Sequence, residues 1–313
     1  MPAMTKDEFD AYLKSGKTTP VWTKTGSWSQ FKVHAKKIEE ATAYLQECQG
    51  TSPSGQRKWT PLYRGHRNSS WKVQSTFDRT DNKLTLSEYH DLVLKAQQEY
   101  KQLLRAATLD AKEIDNYPYD NSSALKISKI LADSNEINIL PEELRFWVFL
   151  RHYGFPSPLL DWTKDYQVAA FFAFQNKSDE EFISIHTMIP ALCGSTGANL
   201  ITINDSSMQT DAAASLKPLI RRHAEQKSVY TLFYKERSDG RGSKPQSFEK
   251  HEDMFKENSA HGGSWGLYFK FNILASERER VLKELDQIGI NSAKILANTD
   301  ARLETIQNRL FLF

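Results

Sequence analysis

The chain has little cysteine: two residues, Cys48 and Cys193, among 313. They share no metal-type spacing and cannot build a disulfide framework, so a reducing, cytoplasmic setting is expected. No apolar run reaches the length needed to cross a bilayer, so no membrane partner is expected. The first twenty residues carry Lys6, Asp7, Glu8, Asp10 and Lys14 and lack an apolar core, so no secretory leader is expected there. Net charge is only +2, so strong global steering toward nucleic acid is not implied, although a local basic cleft remains compatible. There is no Walker A loop, no Gly-x-Gly-x-x-Gly after a strand, no His-Glu-x-x-His, no Cys-x-x-Cys and no Gly-x-Ser-x-Gly elbow. The eight histidines are scattered, none at i, i+4 from another on an evident helix, so no metal site is expected. Internal repeats and long low-complexity tracts are missing too.

What is present centres on residues 144–174. Leu144, Trp147, Val148 and Phe149 mark a helix that Gly154 ends. Pro156 and Pro158 then hold the chain extended, and Leu159 and Leu160 bury that piece. Thr163 is placed to cap a second helix through Val168, Ala169, Phe172 and Ala173. Asp161 and Trp162 fall at the strand-to-helix junction, where two packed elements can present polar groups to a ligand. The plainer reading makes Asp161 and Thr163 simple caps.

Around this centre the chain reads as helices and strands in separate blocks. Thr5 with Glu8 predicts a short helix, and Ser27 with Gln30 opens a longer one with the stripe Phe31, Ala35, Ile38, Ala41 or Thr42, and Leu45. Trp59–His66 predicts a strand ending on Arg64-Gly65, where glycine lets a ligand or another backbone come close. Trp71–Ser75 predicts a second short strand. Residues 84–107 and Ser123–Leu131 read as helices of an insertion packed on the sheet, about 84–135. Further strands are predicted at Phe182–Ile189, Leu200–Ile203, Ser228–Tyr234 and Trp265–Leu274, with a charged, Gly-rich loop over 235–263. Ser276 with Glu279 caps a helix closed by Gly289, and a last helix is expected near Asp300–Arg309. Such segregation favours α+β architecture: a helical segment over 1–56 and a main domain over 57–313.

With nucleophile and metal motifs excluded, the polar residues at strand ends remain: Tyr63, Arg64, His152, Asp161, Thr163, Arg222, Glu225 and Gln226. Trp71, Tyr153 and Trp162 lie among them. Arginine grips phosphate bidentately and aromatic faces stack a flat ring, so the set suits a phosphate-bearing ligand with a planar base.

Tyr63-Arg64-Gly65, Trp71, Arg79, then His152-Tyr153-Gly154 with Leu159-Leu160-Asp161-Trp162-Thr163 and Ala169…Phe172-Ala173 resemble the FRG-domain family. That family is named for Phe-Arg-Gly on its first strand, and its strongest motif is similar to Gln-His-Tyr-Gly-Leu-Pro-Thr-Arg-Leu-Leu-Asp-Trp-Thr. A later motif resembles Arg221-Arg222-His223-Ala224-Glu225-Gln226, and the resemblance spans roughly residues 57–307. The chain departs from it with Tyr at 63, Arg at 151, Phe at 155 and Ser157-Pro158 in place of Thr-Arg, which leaves Arg64 and Arg222 as the phosphate contacts.

The motif order is similar to the ADP-ribosyltransferase fold, which implies a split mixed or antiparallel sheet with NAD, as substrate, lying across it. On that resemblance Arg64, Gln226 and Glu225 are the expected catalytic groups. Tyr63, Arg64, Gly65, His152, Asp161, Trp162, Thr163 and Arg222 are the expected NAD contacts, with Trp162 or Tyr63 stacked on the nicotinamide. The expected activity is ADP-ribosyl transfer from NAD to a protein or nucleic acid by a bacterial or phage toxin or phage-defence effector, with an antitoxin or regulatory partner. The alternative is a non-catalytic nucleotide- or RNA-binding module using clusters such as Lys36-Lys37 and Arg221-Arg222.

Overall fold

A computed structural model describes residues 22–48, 60–80, 84–106, 119–133, 136–137, 141–152, 154–190, 199–203, 222–236, 246–260, 268–296, 305–306 and 308–309. The expected helix at Thr5, most of the one near Asp300, and the expectations for Tyr153, Arg221, Trp265 and Leu267 lie outside these residues. The strands are β1 (Trp22–Gly26), β2 (Leu62–His66), β3 (Glu136–Ile137), β4 (Leu160–Thr163), β5 (Phe182–Met188), β6 (Asn199–Ile203), β7 (Ser228–Glu236), β8 (Gln246–Glu249) and β9 (Tyr268–Leu274). The helices are α1 (Trp28–Cys48), α2 (Leu86–Ala106), α3 (Ser123–Asp133), α4 (Glu142–His152), α5 (Tyr166–Phe174), α6 (His251–Ala260), α7 (Arg278–Gln287) and the short α8 (Ser292–Ile295).

The architecture is α+β around one open, mixed sheet in the order β1-β9-β5-β2-β4-β7-β6-β3, with β8 paired to β7. Parallel pairing occurs at β1/β9 and β3/β6; the other pairs are antiparallel. At its middle the sheet is barely joined: β2 and β4 share the single pair Tyr63↔Thr163, whereas β2 and β5 share five.

Both faces are covered, as the alternation along the strands requires. Over the β9-β5-β2 half, α1, α5 and α7 bury Phe31, Phe171, Phe174, Ile185, Phe271 and Leu285. Over the other half, α2, α3 and α4 bury Tyr89, Ile127 and Trp147 against Ile201, Tyr230 and Leu232. Val229 and Phe233, of opposite parity on β7, turn to the far face and pack with Trp162, Met254 and Phe255. α5 is buried on nearly all sides, as Val168, Ala169, Ala170, Phe171, Ala173 and Phe174 require.

Local chemistry sets several boundaries. Ser27 and Gln30 form the reciprocal box that starts α1, at 2.8 and 3.2 Å. Gly154 takes φ +85° just beyond α4, a conformation other residues resist. Several expected details differ. Thr163 does not cap α5; its hydroxyl accepts from the Asp165 N–H at 3.1 Å, and Asp165 caps by accepting from Gln167 N–H at 2.8 Å. Ser276 and Glu279 make no box, because a 3-10 turn at Ala275–Glu277 precedes α7. Trp71–Ser75 is extended but unpaired in any ladder, and the expected loop over 235–263 contains β8 and α6. Within the region expected to be a helical lead-in, β1 instead adds a strand to the main sheet and α1 packs on it.

Gly65 is where β2 meets α5. A Cβ there would stand 2.0 Å from the Ala169 carbonyl oxygen and 2.7 Å from the Ala173 nitrogen. The glycine therefore admits the backbone of α5. Gly65→Ala is expected to lower stability by about 3 kcal/mol in chemical denaturation, since the obstacle is backbone and cannot rotate away; an unchanged midpoint would refute this packing.

Candidate functional site

Where β2 and β4 diverge, the sheet opens into a cleft of about 380 Å³ lined by Arg64, Gly65, Arg67, Trp71, Asp161, Trp162, Thr163, Phe172, Asn176, Gln226 and Ser228, among others. This is within the range of small-molecule sites. Three separated stretches meet there: the Arg-Gly strand end, the Asp-Trp-Thr corner and Gln226.

Arg64 spans the opening. Its Nη1 donates to the Asp161 carbonyl at 2.6 Å and lies 3.0 Å from Asp161 Oδ2. Its Nε donates to His66 Nε2 at 3.1 Å. The guanidinium thus satisfies a carbonyl that a continuous β2/β4 ladder would have paired. Its Nη2 has no protein partner among the described residues, so two N–H donors remain for a ligand.

Asp161 is gripped from both sides, by Arg64 and by Arg151 at the end of α4. Burial works to raise its pKa, but the two guanidinium groups prevail and hold the carboxyl well below the usual range. The carboxylate is ringed by protein yet keeps 44% of its side-chain surface open. It is therefore a fixed negative charge and a poor proton acceptor. Arg151 stands where the family motif has glutamine, so the chain that lacks an arginine at Pro158 brings one from α4.

Beneath Arg64 lies a pair of buried histidines, His66 and His186. A guanidinium only donates, so His66 Nε2 must carry a lone pair and the ring is neutral. Burial, helped by Arg64, pushes the His66 pKa down to about 3. The His186 ring centroid is 4.6 Å away, and His186 bonds to Tyr268 Oη at 2.5 Å and Ser184 Oγ at 3.0 Å.

Several expected contacts are packed into the core or lie outside the cleft. The Tyr63 ring is fully buried, edge-on to Tyr166 at 6.0 Å, and cannot stack on a ligand. Trp162 is 3% exposed; its indole N–H donates to Thr231 Oγ1 at 2.9 Å, so its face belongs to the core. Glu225 does not line the cleft and lies 3.7 Å from Lys294. Its neighbour Gln226 does line it, with Nε2 donating to the Ile295 carbonyl at 3.1 Å. His152 and Arg222 lie outside the cleft lining; His152 Nε2 bonds to Tyr230 Oη at 2.9 Å. The exposed aromatic at the cleft is Trp71, 45% exposed, with Arg67 over its ring at 5.4 Å and Phe172 lining the same space. Trp71 was visible in the sequence only as an aromatic near the motif; its exposure, which marks it as a stacking face, depends on tertiary placement.

A family model described as FRG domain matches residues 60–181, from the start of β2 to the start of β5. The chain carries an FRG domain. Comparison with curated proteins and with solved structures gives no match. The FRG match covers Arg64, Trp71 and Asp161 but stops before Gln226, whose place in the cleft rests on geometry.

The buried histidines give the protein a pH signature. His34 is pushed down to about 4 and His66 to about 3, both chiefly by burial, and His186 lies well below its ordinary value. Unfolded, each binds a proton near pH 6.5. The unfolded state therefore takes up protons that the native state refuses, and stability falls as pH drops below about 6.5, by up to about 1.4 kcal/mol per pH unit per histidine. Urea midpoints between pH 7.5 and 5 should follow this slope, and His66→Gln should flatten it; a level profile counts against neutral burial.

Proposed function

We propose that the cleft binds NAD and that the protein transfers its ADP-ribose to a macromolecular acceptor with release of nicotinamide. The observation that carries this reading is the Arg64 guanidinium fixed across the cleft with one nitrogen uncommitted, beside an exposed Trp71 ring and the Gln226 amide.

In this reading Arg64 Nη2 binds a pyrophosphate oxygen, and Arg67 lies near enough to the same space to share that charge. Trp71 and Phe172 supply faces for a planar base. Gln226, whose amide has capacity left after its bond to Ile295, holds a ribose hydroxyl. The C1′–N bond breaks with its electron pair leaving on nicotinamide, and positive charge grows on the ribose. Asp161, a permanent anion lining the cleft, stabilises that charge. Its role is electrostatic; the proton of the attacking acceptor passes to solvent.

One observation favours a second reading, a nucleotide- or RNA-binding module without turnover. Glu225 is turned to Lys294 and the residue that replaces it in the cleft, Gln226, cannot take a proton.

Incubation with NAD labelled in the nicotinamide ring separates the two. Wild type should release nicotinamide, and Arg64→Ala should lower the rate by at least about 100-fold. Trp71→Ala, at an exposed position that leaves the fold intact, should weaken NAD binding about tenfold, in line with the value of one stacked base. Equal release by wild type and Arg64→Ala, with thermal unfolding confirming that both are folded, would sink the transferase reading; binding without release would favour the module.

A further inference from the structure

Beside the cleft, the last turn of α4 meets the helical turn at 222–225 and β7. Tyr230 stands at the centre, its Oη 2.9 Å from His152 Nε2 and 3.2 Å from His223 Nδ1. Burial, then Arg222, pushes the His152 pKa down to about 3, and burial keeps the Tyr230 phenol protonated. Both groups are thus neutral at physiological pH, and the charge here belongs to the arginines.

Among the described residues that charge is not balanced. Arg151 shares Asp161 with Arg64, and its Nε is buried with no hydrogen-bond partner. Arg222 makes no side-chain hydrogen bond or ion pair among the described residues, and its Nε is also buried and unpartnered. The acid of this region, Asp161, is a single carboxylate already shared by Arg64 and Arg151, and Glu225 lies 3.7 Å from Lys294. Arg151 and Arg222 each adjoin in sequence one of the two histidines that bond Tyr230 Oη, so both stand at this junction. A partly buried guanidinium with unmet donors is costly in isolation and is relieved by an oxyanion. Planar forks of N–H donors favour tetrahedral phosphate oxygens in bidentate contact.

We propose that Arg151 and Arg222 form an anion subsite, beside the cleft and distinct from it, that takes a phosphate group. The source is a nucleotide or the backbone of a nucleic acid, which share this chemistry. The subsite does not depend on NAD turnover in the cleft, so the two readings fail separately.

Thermal unfolding and calorimetric titration with inorganic phosphate test it. Phosphate should stabilise wild type more than chloride at equal ionic strength. Arg222→Gln should lose at least about tenfold in phosphate affinity, yet be no less stable than wild type without phosphate, because it removes an unpaired charge. Arg151→Lys, which keeps the charge at Asp161, is the second variant and should also weaken phosphate. Titration with ADP and with a single-stranded DNA oligonucleotide then identifies the source: the one that binds more tightly than phosphate, with loss in Arg222→Gln, is it. For the oligonucleotide, that variant should also show a shallower salt dependence, by about one phosphate contact. No phosphate-specific stabilisation of wild type, or an undiminished response in Arg222→Gln, overturns the proposal.

Discussion

The contact between Arg64 and Asp161 determines the middle of this molecule. A sheet cannot open at its centre without stranding backbone carbonyls, and each buried one left unpaired costs on the order of 1–3 kcal/mol. Here β2 and β4 part after a single residue pair, and Arg64 closes the gap with a side chain in place of a ladder bond. Its charge then needs a counter-charge, which the Asp161 carboxylate of the same residue provides. Arg151 takes the other carboxylate oxygen and ties α4 to the junction. The opening that makes a ligand cleft and the bonds that make it tolerable are one arrangement.

Adjacent residues on β2 divide the work because a strand alternates its faces. Arg64 points toward the divergence, while Gly65 lies under α5, whose carbonyl at Ala169 leaves no room for a Cβ. On the opposite face, Trp162 is held by a buried chain of polar groups. Its indole donates to Thr231, Thr231 bonds to His251 at 3.2 Å, and His251 Nδ1 meets Asp78 at 2.9 Å. Burial opposes the Asp78 charge, but its bonds to His251 and Ser75 outweigh that and hold its pKa low. Fully satisfied networks of this kind fix one packing, so Trp162 meets the cleft only as part of the core while the Trp71 face is open to it.

Much of this could be read in the chain. The α1 capping box, the Gly154 stop, the strand expected at Phe182–Ile189 and found at Phe182–Met188, and the helix–strand–helix at 144–174 follow from local rules and are present. So is the meeting of the Arg-Gly, Asp-Trp-Thr and Gln226 stretches. Which member of each stretch faces the ligand was not legible, because it depends on strand parity and register. One residue of offset sends Glu225 to Lys294 and brings Gln226 to the cleft. Tyr63 and Trp162 looked like stacking faces by type, yet their rings pack into the interior. β1 was missed since Trp22-Thr-Lys-Thr-Gly26 has neither clear alternation nor a hairpin partner; its pairing with β9 is parallel and nearly 250 residues distant in sequence.

The same bookkeeping of donors bears on how a ligand would be received. Arg64 has five N–H groups; one is spent on His66 and the Nη1 group on Asp161, while Nη2 is left over. A phosphate oxygen arriving at Nη2 would add a contact without displacing one, so Asp161 need not move and the junction of β2 and β4 need not reopen. The side chain is already immobile, 13% exposed and anchored at two of its three nitrogens, so its rotamer entropy has been lost on folding rather than on binding. His66 completes the logic: only as a neutral acceptor can it steer Nε, and its burial is what keeps it neutral. Preorganisation of this kind puts the cost of the site into the fold and leaves the ligand's contacts to appear as affinity.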